Sequence, residues 1–150
     1  MKSRKNHFIL IIGSFLIMNF SFLYANNNNL SQCFSYLKQG RLILGEKTGP
    51  QHSINSHLGW AKGQNKKVLT DEILRLIIVS YEEVINHPSL SKEKLNSAFA
   101  HIKQAQLIIN RKTGRQHSLN SHKSWGRGQT PLTLKKEIAY QLKTIYFGLK

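Results

Sequence analysis

Two stretches of the chain carry the same set of polar side chains. Residues 47–64 read KTGPQHSINSHLGWAKGQ and residues 112–129 read KTGRQHSLNSHKSWGRGQ, identical at 12 of 18 positions. Pro50, Leu58 and Gly59 are replaced by Arg115, Lys123 and Ser124, whereas Gln51, His52, Ser53, Asn55, Ser56, His57, Trp60, Gly63 and Gln64 keep their identity. A core face needs only apolar volume of about the right size. A run of unchanged polar residues needs specific hydrogen bonds, within the fold or to a ligand.

Four kinds of chemistry fit these residues. The first is binding of an anion or a glycan, with Gln51, His52, Ser53, Asn55, His57, Trp60 and Lys62 as candidate contacts in the first stretch. Gln116, His117, Ser118, Asn120, His122, Trp125 and Arg127 are their counterparts in the second. A helix starting inside the motif adds free N–H groups and a positive dipole end, and either tryptophan can stack on a sugar or a base. The second is a metal site: His52, His57, His117 and His122 supply four imidazoles, and zinc favours four ligands. Copper is the other candidate metal. Histidines five residues apart do not share one helix face, and the motif holds no carboxylate or cysteine, so no cofactor is assigned. The third is acid–base catalysis on a phosphodiester by paired histidines, as in a nuclease. No acid inside the motif orients a histidine, and no catalytic residue is assigned.

The fourth reading is a connector. Ser53 or Ser118 then caps a short helix, Ile54 and Trp60 pack inward with the indole N–H satisfied, Asn55 and Ser56 bond local backbone, and the imidazoles satisfy neighbouring carbonyls or the helix ends. The functional expectation adopted here is non-enzymatic binding of an anionic polymer or glycan, with nucleic acid as a variant partner. If the motif is only a connector, the interaction site lies elsewhere.

The elements that must position these residues follow from how far the correspondence extends. At a constant offset of 65, Leu30 pairs with Leu95, Phe34 with Phe99, Lys38 with Lys103, Gln39 with Gln104, Glu72 with Glu137, Ile73 with Ile138 and Tyr81 with Tyr146. The units are therefore residues 30–85 and 95–150, joined by 86–94, where His87-Pro88 is a stop signal. Apolar residues at helical spacing on both sides of each motif predict helix, motif, helix. The first helix of each unit is expected to end at Gly49 or Gly114. Thr70 and Thr133 are the expected caps of the last helices, and Ser91 opens the second unit. Glu72 and Glu137 are expected near helix starts, where negative charge is favourable. The fold class is all-α: two tandem units in one compact domain, related by a pseudo-twofold axis as a four-helix arrangement.

Ahead of the units, Lys2, Arg4 and Lys5 precede an apolar run from Phe8 to Phe22, and Ala25 is a small residue at a suitable cleavage point. This layout is that of a secretory signal peptide over residues 1–25, of bacterial type, followed by an Asn-rich spacer at 26–29. Export to a periplasm or the exterior is expected, with no stable membrane span after cleavage. Loss of Lys2, Arg4 and Lys5 takes the formal net charge from +15 to +12, which draws the chain to polyanions. The charge is uneven. Residues 30–85 hold seven basic and five acidic side chains, and residues 95–150 hold ten basic and one acidic, Glu137. Cys33 is the single cysteine, so no internal disulfide forms, and a small buried role is expected for it.

Overall fold

The computed structural model describes residues 26–45, 53–111 and 118–150. The expected signal peptide, the Gly49 and Gly114 caps, and the candidates Gln51, His52, Gln116 and His117 lie outside the described residues. Among the described residues the chain is all-helical, with six helices and no strand: α1 (Asn27–Leu44), α2 (Ile54–Lys62), α3 (Lys66–Asn86), α4 (Lys92–Ile109), α5 (Leu119–Arg127) and α6 (Pro131–Gly148). No described helix is long and apolar enough to cross a membrane.

Every helix starts on a side-chain cap. Asn26 accepts from the Asn29 N–H at 2.8 Å, Ser53 from Ser56 at 3.1 Å and Asn65 from Val68 at 2.9 Å. Ser91 accepts from Lys94 at 3.2 Å, Ser118 from Ser121 at 3.2 Å and Thr130 from Thr133 at 3.1 Å. Each such cap contributes about 0.5–2 kcal/mol. Pro131 at the first position of α6 adds a preset φ and no wasted donor.

Several boundaries differ from the sequence reading. Asn27 to Asn29 open α1 rather than forming a spacer, because Asn26 supplies a cap. The caps of the last helices are Asn65 and Thr130, five and three residues ahead of Thr70 and Thr133. Thr70 is already inside α3, its hydroxyl donating to the Lys66 carbonyl at 2.8 Å. With these earlier starts, Glu72 and Glu137 fall beyond the first turn, and neither serves a helix start. Helices α1 and α4 stop at Leu44 and Ile109, short of Gly49 and Gly114. The Gly45 N–H closes onto Arg41 and Ile43 carbonyls, and Arg111, with φ of 61°, turns the chain after α4 into the left-handed region.

The four long helices α1, α3, α4 and α6 form the bundle, and the short α2 and α5 lean on α1 and α4 respectively. The two short helices are the departure from a plain four-helix arrangement. Helices α1 and α4 make the most extensive contact, and small residues let them approach. A Cβ built at Gly40 would sit 2.7 Å from Ile102 Cγ1, and Cys33, Ala98 and Ala105 are all fully buried. Leu37, Leu69, Ile73, Leu76, Ile77, Leu95, Ile102, Leu134, Ile138, Leu142 and Ile145 complete one continuous core. Each such aliphatic side chain contributes about 1.5–3 kcal/mol on burial. Burial raises the pKa of the Cys33 thiol and keeps it unreactive.

Candidate functional site

The motif residues divide by the helix they start, the helix they end and the neighbour they face. Ser53 and Ser56 initiate α2, with their hydroxyls 3.0 Å apart. Ser118 and Ser121 do the same for α5 at 2.9 Å. At the other end the Gly63 N–H bonds the Trp60 carbonyl, as Gly128 bonds Trp125. The Gln64 amide also donates to the Trp60 carbonyl at 3.3 Å, and Gln129 to that of Trp125 at 3.4 Å. Ser53 and Ser118 are thus N-caps, as the connector reading expects, and the glycines and C-terminal glutamines close the same short helices.

The histidines and tryptophans do something else. His57 and His122 are buried at the base of their short helices. The Nε2–H of His57 donates to Gln39 Oε1 on α1 at 3.1 Å, and that of His122 donates to Gln104 Oε1 on α4 at 3.1 Å. A carbonyl oxygen only accepts, so this bond puts the proton on Nε2. Both imidazoles therefore reach a side chain on the neighbouring long helix. Trp60 stacks on Phe34 with centroids 4.9 Å apart at 37°, and Trp125 on Phe99 at 5.0 Å and 39°. Each indole remains 45% exposed, so the tryptophans do not pack inward as the connector reading requires. One ring face is anchored and the other part meets solvent.

Asn55 and Lys62 are exposed, as are Asn120 and Arg127. Seven residues apart, each pair shares one helix face, about 140–160° from its histidine. The structure therefore brings His57 with Trp60 and His122 with Trp125, and leaves the Asn and Lys/Arg candidates on the opposite, solvent-facing side.

A shallow pocket of about 250 Å³ opens beside α5, lined by Phe99, Lys103, His122, Trp125 and Glu137. Sixty-five positions earlier the chain carries Phe34, Lys38, His57, Trp60 and Glu72, the same five residue types. Phe34/Phe99, Lys38/Lys103, Gln39/Gln104 and Glu72/Glu137 pair at the repeat offset, but none of them lies within the motif that marks the candidate site. Their unchanged identity was the available signal; what was missing was the fold that carries α4, α5 and α6 side chains to one place. The carboxylates differ in setting. Arg75 holds Glu72 through a pair 2.9 Å long, whereas residue 140 is a tyrosine and Glu137 receives the Gln141 amide at 3.5 Å.

Comparison with protein-family models, with curated proteins and with solved structures finds no match. Function therefore rests on the geometry.

Among the described residues, no three His, Cys, Asp or Glu side chains are grouped so as to hold a metal ion. His57 and His122 belong to different halves, and each Nε2 faces a glutamine side chain at 3.1 Å. A further histidine, His101, lies buried on α4, its Nδ1–H donating to the Ser97 carbonyl at 2.8 Å. Burial lowers its pKa, helped by the nearby Lys123 charge and opposed by the bond to Ser97.

Proposed function

We propose that the chain is an exported, non-enzymatic binding protein built from two tandem copies of one unit, each presenting a tryptophan-walled pocket to an acidic glycan. The observation that carries this reading is the coincidence of pocket and sequence. All five residues lining the α5 pocket have identical residues at the same register in the first half, while much of the surface between the halves has diverged. The helix starts, 27 and 92, 54 and 119, 66 and 131, keep the same offset, which supports a pseudo-twofold pair of units around α1 and α4.

The pocket chemistry suits a sugar. A half-exposed indole face offers flat, π-rich surface for the C–H face of a pyranose ring. Lys103 supplies a cationic donor and Glu137 an anionic acceptor for hydroxyl and amide groups on either side. The bonds to Gln39 and Gln104 hold the imidazoles, and Phe34 and Phe99 hold the indoles, so little side-chain freedom is lost on binding. The surplus of positive charge, concentrated in the second half, favours glycans bearing carboxylate or phosphate groups. Two sites on one chain suit a polymer, because the second contact becomes intramolecular.

Isothermal titration of the chain with soluble fragments of acidic and neutral glycans tests the proposal. Binding to an acidic fragment should weaken at least tenfold in Trp60→Ala/Trp125→Ala, with the fold retained. Unchanged affinity in that variant would exclude the pockets as the site.

A second reading has one observation in its favour: Glu137 lines the same pocket as His122, so a carboxylate does accompany the histidine. An acid–base enzyme acting on a phosphodiester would then lose turnover in Glu137→Gln while keeping ligand affinity, whereas a binding pocket would lose affinity and show no turnover to begin with.

A further inference from the structure

The two halves give each helix an internal reference, and α3 and α6 differ most where they face solvent. On α6 the residues Leu132, Lys136, Tyr140, Lys143 and Phe147 fall within an arc of about 80°, opposite the buried stripe of Leu134, Ile138, Leu142 and Ile145. Leu132 is 63% exposed and Tyr140 61%. Lys136 is exposed too, and Lys143 and Phe147 are half-buried on the same side.

At the same register α3 carries Lys67, Asp71, Arg75, Ile78 and Glu82. That face is charge-balanced: Lys67 pairs with Asp71 at 2.7 Å, and Arg75 turns to Glu72 at 2.9 Å. A solvated helix face needs nothing more. The α6 face has traded both acids away and placed a leucine, a tyrosine and a phenylalanine among lysines.

We propose that this face of α6 docks on a membrane surface containing anionic phospholipid, a contact separate from the pockets. The residue types favour lipid over nucleic acid. Leu132 offers no ring to stack on a base, and the face holds lysine without arginine, the residue suited to bidentate phosphate recognition. An interfacial helix face needs the mixture present here: aliphatic and aromatic groups at headgroup depth, and lysine stems that lie along apolar surface while the ammonium reaches phosphate. Anionic lipid attracts each lysine, with a range set by the Debye length.

The experiment uses the full chain with Tyr140→Cys or, as the reference, Arg75→Cys, each labelled with an environment-sensitive fluorophore. Cys33 is fully buried and stays unlabelled in the native protein. Vesicles of phosphatidylcholine alone are compared with vesicles of phosphatidylcholine and phosphatidylglycerol in equal parts. The label at 140 should shift to the blue only with the anionic vesicles, and the label at 75 should not move. Giving α6 the α3 face, with Leu132→Lys, Lys136→Asp and Phe147→Glu in the Tyr140→Cys chain, should weaken vesicle binding read at the label at least tenfold with helicity unchanged. Three results would overturn the proposal. One is no shift at 140. Another is an equal shift at 75 and 140, as insertion through the apolar N-terminal run would give. The last is the same shift at 140 with duplex DNA.

Discussion

The matching halves make an unusual packing prediction. On α4 and α5 a large residue faces a small one: Asn96 sits where the first half has Ser31, and Gly126 where it has Ala61. A Cβ built at Gly126 would overlap Asn96 Oδ1 and lie 2.7 Å from its Cγ and 3.4 Å from Leu134 Cδ2. The Asn96 amide donates to the Lys123 carbonyl at 3.0 Å, and its Oδ1 is buried with no partner among the described residues. Gly126→Ala must therefore displace Asn96. Losing that hydrogen bond costs about 1 kcal/mol, and overpacking costs about 1–3 kcal/mol. The helix propensity of alanine returns about 1 kcal/mol. The net expectation is a loss of about 1–3 kcal/mol, or roughly 4 °C in Tm per kcal/mol for a chain of this size. Asn96→Ser/Gly126→Ala recreates the pair found in the first half and should recover at least half of that loss, a coupling of about 1 kcal/mol or more. Urea unfolding monitored by circular dichroism measures Asn96→Ser, Gly126→Ala and the double variant. A Gly126→Ala chain as stable as the parent, or a double variant no better than the single, would refute the equivalence of the two interfaces.

Other expectations follow from the same geometry. Gln104→Ala should remove the partner of the His122 Nε2–H and lower stability by about 1–2 kcal/mol in urea unfolding, with Gln39→Ala behaving alike and the two effects adding. Acidification should destabilise the fold through His101. Its folded pKa lies below its unfolded value, so the unfolded chain takes up the proton first, and stability falls as pH drops from about 6.5 toward the lowered value. His101→Gln should flatten that part of a Tm-against-pH curve. Gly40→Leu should separate α1 from α4, where even a Cβ meets Ile102, and reduce stability by about 3 kcal/mol or more.

Much of the helical framework was legible in the sequence because apolar spacing survives translation by 65 residues. Ser91 and the His87-Pro88 break were readable for the same local reason: capping and proline chemistry act within a few residues. The cap choices Asn65 over Thr70 and Thr130 over Thr133 were not, because several capping residues lie close together and the first to secure a backbone N–H sets the start. The site was only half legible. His57, His122, Trp60 and Trp125 stood out in the motif, whereas Gln39, Lys38 and Glu72, with Gln104, Lys103 and Glu137, come from helices far along the chain. Only packing of α4, α5 and α6 brings Lys103 and Glu137 to His122 and Trp125. Glu137 in particular reads as a helix-start acid until its helix is seen to begin at Pro131.

Trp60 and Trp125 are the only tryptophans in the chain, so the protein has two indole N–H resonances, and both report on the proposed pockets. Nuclear magnetic resonance of the 15N-labelled chain, titrated with an acidic glycan fragment, therefore reads the two sites directly, with Trp60→Phe assigning the peaks. Both resonances should move, each along a single saturating curve. Saturable shifts confined to backbone amides elsewhere, with both indole signals stationary, would contradict tryptophan-walled glycan binding.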